Sequence, residues 1–177
     1  MNKKLEKKIV LNGAFEVIIK ENNHLYVVHK LDKICVLPYI ISTEGILDKI
    51  GVIKELNILK EKNNYTLING YISQDDPTNL VTANKILYEI IGSNVTNADD
   101  WEYLGIISNV LIGGNVIIYG VNISNININQ SEEIEKVKKI KGFELLPANK
   151  VVSSDDALFL ASYMRLFNHF YVNSLQQ

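Results

Sequence analysis

Asp76-Pro77-Thr78-Asn79-Leu80-Val81-Thr82-Ala83-Asn84-Lys85-Ile86-Leu87-Tyr88-Glu89-Ile90-Ile91-Gly92 is the stretch whose reading decides the fold. Leu80, Ala83, Leu87 and Ile91 recur at intervals of three and four, which lines apolar side chains along one face of an α-helix. Asp76 is a residue type that caps a first turn, and Pro77 suits the entry. Gly92 ends the run, since glycine takes the left-handed conformation that closes a helix. The stretch predicts a helix from about Thr78 to Ile91. Ile86, Glu89 and Ile90 stand at i, i+3 and i+4 and share a helix face.

Upstream, Phe15–Lys20 and Leu25–His29 read as strands joined by the polar hairpin turn Glu21-Asn22-Asn23-His24. Ile34–Ile41 is a third apolar run, in which Pro38 cannot donate to a ladder and so marks an edge or a bulge. Residues 42–63 are ambiguous, because Gly45 and Gly51 interrupt them while Val52-Ile53 and Leu56–Leu59 retain strand character. Tyr65–Gly70 is one more short strand. Downstream, Trp101–Ile107 and Asn115–Ile123 are strand-like, with the turn signal Gly113-Gly114 between them. Ser131–Lys139 reads as a charged loop or short helix. Ser153-Ser154-Asp155-Asp156 caps a long C-terminal helix through about Val172, whose stripe is Leu158, Ala161, Phe167 and Phe170. Mixed strands with two separated helices predict one layered α/β (α+β) domain over 1–177, preceded by a basic segment at 1–12.

Composition narrows the function classes. The 177 residues are 47% hydrophobic and 21% charged, with a formal charge of −2. That is ordinary globular chemistry and offers no excess of positive charge to nucleic acid or an anionic membrane. Arg165 is the single arginine, so the bidentate forks that read phosphates are nearly absent. Cys35 is the single cysteine and reads as a small buried hydrophobe. His24, His29 and His169 are scattered, without the spacing of a zinc site. No run approaches the ~20 apolar residues of a membrane helix, and the basic start is no signal peptide. These features place the protein inside a cell.

The order of strands, capped helix, glycine stop, Trp101-x-x-Leu104-Gly105 strand, acidic segment and C-terminal helix resembles the Nudix hydrolases over roughly residues 15–172. That family's signature is a glycine, five residues, a glutamate, seven residues, arginine–glutamate, an aliphatic, any residue, two glutamates, any residue, glycine and an aliphatic. Anchored on Gly92, Lys85 stands at the arginine, Leu87 at the aliphatic and Glu89 at the first of the paired glutamates. Ile86 and Ile90 replace two glutamates, and Ser93 replaces the last aliphatic. The opening glycine falls on Tyr71, with Gly70 one residue early, and the next glutamate falls on Pro77, with Asp76 one residue early. The resemblance implies a mixed sheet sandwiched by helices, and a helix face that in active members holds Mg²⁺ against a diphosphate.

One carboxylate between two isoleucines is a poor site for a cation that demands octahedral oxygen ligation. The expectation is therefore a domain without catalysis, bound metal or cofactor. It would serve as a structural or interaction component of a multi-subunit assembly, with homo-oligomers included. The Asn-, Ile- and Lys-rich composition of an AT-rich genome points to a bacteriophage particle or its host's cytoplasm. Ile86 and Ile90 would be the docking face or a widened core stripe. The alternatives are a Mg²⁺-dependent hydrolase of nucleoside diphosphate derivatives with displaced ligands, and a module that senses a nucleotide without cleaving it. In the hydrolase, Glu89 and Asp76 would bind metal, and Glu89, Glu132 and Glu133 would supply catalysis. Asp75, Asp99, Asp100 and Glu102 read as solvated loop carboxylates.

Overall fold

A computed structural model describes residues 7–11, 15–19, 25–29, 32–57, 62–73, 75–108, 114–126, 142–153 and 156–174. Strands β1 (Lys7–Leu11), β2 (Phe15–Ile19) and β3 (Leu25–His29) form an antiparallel three-stranded sheet of their own. The hairpin expected between β2 and β3 is present, with Ile19 opposite Leu25 and Phe15 opposite His29. β1 lies within the basic start, where no element was expected.

The larger sheet has seven strands: β4 (Lys33–Ile41), β5 (Leu47–Asn57), β6 (Lys62–Thr66), β7 (Ile68–Tyr71), β8 (Trp101–Ser108), β9 (Asn115–Asn122) and β10 (Phe143–Pro147). Its order is β10-β5-β4-β9-β8, with β6 on β5 and β7 on β4. Only the β4–β9 pair is parallel. Helix α1 (Asn79–Ile91) lies over β4 and β7, and helix α2 (Ala157–Ser174) is the C-terminal element.

β4 explains why both helices are needed. Residues Ile34–Tyr39 are buried without interruption, as in a strand covered on both faces. Ile34 and Val36 join Ala83, Leu87 and Ile91 of α1 on one side. Cys35, Leu37 and Tyr39 join Phe159, Tyr163 and Leu166 of α2 on the other. Burying each large aliphatic or aromatic side chain contributes about 1.5–3 kcal/mol, so α1 docks mainly through its expected stripe. α2 instead docks through Phe159, Tyr163 and Leu166, with Leu158 and Phe170 only partly buried beside them and Phe167 exposed.

Two signals that looked like strand breakers are packing features. Pro38 lies in a central strand, not at an edge. On that side of β4 the pairing passes from β7 (residues 33–36) to β5 (residues 39–41), and Pro38 falls in the gap. Gly51 does not interrupt β5, which runs eleven residues through it. A Cβ there would meet the Phe143 ring at 2.9 Å and Pro38 Cβ at 3.0 Å, so glycine makes room for β10 to pair.

The outermost strand, β8, bulges between Tyr103 and Gly105, and Gly105 adopts φ +106°. Arg165 of α2 closes over the bulge. Its Nη1 donates to Leu104 O at 3.1 Å and Ile106 O at 3.4 Å, and Nη2 donates to Ile106 O at 3.4 Å. A Cβ on residue 105 would stand 2.9 Å from Arg165 Nη1. Gly105→Ala should therefore cost roughly 1–3 kcal/mol, combining backbone strain with displacement of the guanidinium. It would be read as a lower urea midpoint at unchanged slope.

Candidate functional site

Helix α1 is the element that would carry the chemistry; its C-terminal end follows the sequence expectation and its N-terminal cap does not. Thr78 caps it, its side chain accepting from Val81 N, and the helix begins at Asn79. Gly92 closes it in the left-handed conformation, donating to Tyr88 O at 2.8 Å. Asp76 is not the cap. It lies two residues before the cap, and its carboxylate reaches back to the helix, where Oδ2 accepts from Thr82 Oγ1 at 2.7 Å and Oδ1 pairs with Lys85 Nζ. The Asp76 side chain is only 3% exposed. The Lys85 hydrogen bond, then that of Thr82, holds its carboxyl below the usual aspartate range.

The face at 86, 89 and 90 splits in two. Ile90 is 8% exposed and belongs to the core beneath α1. Ile86 is half-buried against the same core and sits on strand β7, where a Cβ on Gly70 would meet its Cδ1 at 2.7 Å. Of the two readings open for these residues, docking face or widened core stripe, their packing fits the stripe. Glu89 is exposed.

Both Asp76 oxygens are engaged, one by an ammonium that a dication would have to displace. Among the described residues no three His, Cys, Asp or Glu side chains cluster closely enough to hold a metal ion. Glu132 and Glu133 lie outside the described residues. Asp99 and Asp100 sit in a 3-10 turn capped by Asn97, and Glu102 pairs with His169 Nε2 at 3.4 Å.

The segment after α1 is pinned by contacts that no motif announces. Asn84 Oδ1 accepts from Val95 N at 3.0 Å, and Trp101 Nε1 donates to Val95 O at 3.1 Å. Both backbone groups of Val95 are thereby held, and Trp101 is fixed beside the core. Tyr119 meets Trp101 edge-on at 6.2 Å and Tyr103 at 5.8 Å and 60°. Trp101 and Tyr119 pack on the α1 side of the sheet. Pairing registers align Ile68, Val36, Tyr119 and Tyr103 in one row across β7, β4, β9 and β8. α1 covers the first two strands, and the next two form an aromatic shelf on which Tyr103 is 59% exposed. Burial, then the neighbouring Tyr103, raises the Tyr119 phenol above its ordinary range. At ~4.8 Å per strand, Tyr103 lies about 10 Å along this row from Val36 of β4.

No protein family and no curated protein matches this sequence. Solved structures do match the fold. An ADP compounds hydrolase superposes with a TM-score of 0.59 at 12% identity, covering 97% of this chain and 98% of that one. A mutT/nudix family protein from Listeria innocua gives 0.56 at 12% identity, over 84% and 98%. The NUDIX domain of Shewanella oneidensis NrtR, complexed with ADP ribose, gives 0.52 at 14% identity, over 76% and 86%. The chain has a Nudix-like fold. The expectation of a bacteriophage structural component is overturned. Ile86 and Ile90 pack toward the core, and the chains sharing the fold include an ADP compounds hydrolase and a NUDIX domain complexed with ADP ribose. Among the described residues no helix is long and apolar enough to cross a membrane.

A carboxylate at position 90 would put a charge into the core. Ile90→Glu should lower stability by at least ~3 kcal/mol at neutral pH, read by urea unfolding. Asp76 gives a pH signature. Its folded-state pKa lies below the unfolded value near 3.9, so its stabilisation is complete above about pH 5. That stabilisation fades as pH falls through the depressed pKa. Asp76→Asn should be less stable than the parent at pH 6, and the gap should close on acidification toward pH 2.

Proposed function

We propose that this chain is a binding module for a nucleoside diphosphate derivative of the ADP-ribose class, which it retains without cleaving. The observation that carries the proposal is the helix face at 86, 89 and 90. Two of its three positions are isoleucines packed toward the core, and the remaining carboxylate is one ligand where diphosphate cleavage calls for several. Lys85, the only cation on α1, is paired with Asp76 and would reach the diphosphate with the remaining hydrogens of its exposed ammonium. The Tyr103–Tyr119 shelf would accept the base, since aromatic faces stack on any nucleobase. The NUDIX domain complexed with ADP ribose supports this choice of ligand.

A second reading is hydrolysis of the same ligand. It is favoured by the nearly end-to-end match to the ADP compounds hydrolase and by the exposed Glu89.

One experiment separates the two. ADP-ribose is titrated against the purified chain with Mg²⁺ or Mn²⁺, while thermal stability and product are both followed. The expected outcome is saturable stabilisation, reaching about 2.7 kcal/mol at a hundredfold excess over Kd, with no AMP released. Turnover that disappears in Glu89→Gln would replace binding by hydrolysis. Neither stabilisation nor product, with ADP-ribose or related dinucleotides, would sink both.

A further inference from the structure

A second concavity lies at the edge of the sheet, between β8 and α2. It is an open groove of about 420 Å³ bordered by Tyr103, Leu104, Arg165, Asn168, His169 and Val172. Arg165, the chain's single arginine, forms its floor. A guanidinium has five N–H donors, and three are spent on Leu104 O and Ile106 O. Nε–H and the second hydrogen of Nη2 remain. They point the same way in a guanidinium and form the side-on pair that receives two oxygens of one oxyanion. The Asn168 amide and the His169 imidazole border the same space, while Leu104 and Val172 give it an apolar wall. Glu102, the one acidic residue of β8, lies within 3.4 Å of His169 Nε2.

We propose that this groove binds a small organic oxyanion, a carboxylate or a phosphate monoester, held side-on by Arg165. The groove does not rest on the nucleotide reading, because Arg165 and His169 belong to the helix on the opposite side of the sheet from α1; only Tyr103, at the sheet edge, borders both the shelf and the groove. The bulge at Gly105 makes the site. It lets the guanidinium lie flat on the strand, so two backbone carbonyls fix its orientation before any ligand arrives. Orientation in advance lowers the ordering cost of binding.

The chain provides its own reporters. One arginine and one tryptophan mean that a ¹H–¹⁵N spectrum holds one Arg Nε–H and one indole resonance. Phenyl phosphate and benzoate are titrated separately at constant ionic strength. The expected result is a saturating shift of the Arg165 Nε–H resonance, with the Trp101 indole, bonded to Val95 O, unmoved. The tighter of the two ligands tells which oxyanion the groove prefers. Asn168→Asp places a carboxylate beside the bound anion and should weaken binding at least ~10-fold without altering thermal stability. Saturation by neither ligand, parallel movement of both resonances, or unchanged affinity in Asn168→Asp overturns the proposal.

Discussion

Strand β4 can be buried on both faces only if something apolar covers each of them. Its alternating side chains feed two separate clusters, and each cluster is closed by one helix. The parallel neighbour β9 shares that burial, with Ile117 and Val121 on the α1 side and Ile118 on the α2 side. Every feature of functional interest hangs on this arrangement. α1 is held over β4 and β7 by its stripe, which presents its remaining surface beyond the strands it covers. α2 is held on the other side with Arg165 aimed at the outermost strand.

Within that frame the face of α1 at 86, 89 and 90 is dominated by packing. Two carboxylates there would need solvent or metal to compensate their charge, whereas Ile86 and Ile90 extend the apolar contact with β7 and the core. The one acid nearby that is nearly enclosed, Asp76, is neutralised locally by Lys85 and Thr82. A ligand on this side of the sheet therefore meets one lysine, one exposed glutamate and an aromatic shelf.

Local signals made much of the fold legible. The α1 stripe, its glycine stop and the C-terminal helix depend on neighbours three or four residues away, and the structure follows them. The runs at 34–41, 101–107 and 115–123 became strands because their apolar density left no other way to bury them. What failed was what depends on distant partners. Gly51 looked like a break because the Phe143 ring that requires it comes from β10, ninety residues on, and β10 itself went unnoticed. Asp76 looked like a cap because it precedes a helix, yet Thr78 has the extended backbone of a cap. The site was less legible than the fold. Ile86 and Ile90 read equally well as core or as docking surface, since periodicity cannot say how wide a helix stripe is. The shelf of Trp101, Tyr119 and Tyr103 exists only through the β8–β9 register, and no spacing in the sequence encodes it.

The Arg165 clasp has a consequence for how copies of this chain behave together. An outer strand normally offers its carbonyls as a template on which another molecule's strand can grow. On β8 two of those carbonyls already face a guanidinium from the same chain, with the backbone bent beneath them. The arginine thus guards the sheet against edge-to-edge association, so its loss would appear first as self-association in concentrated solution.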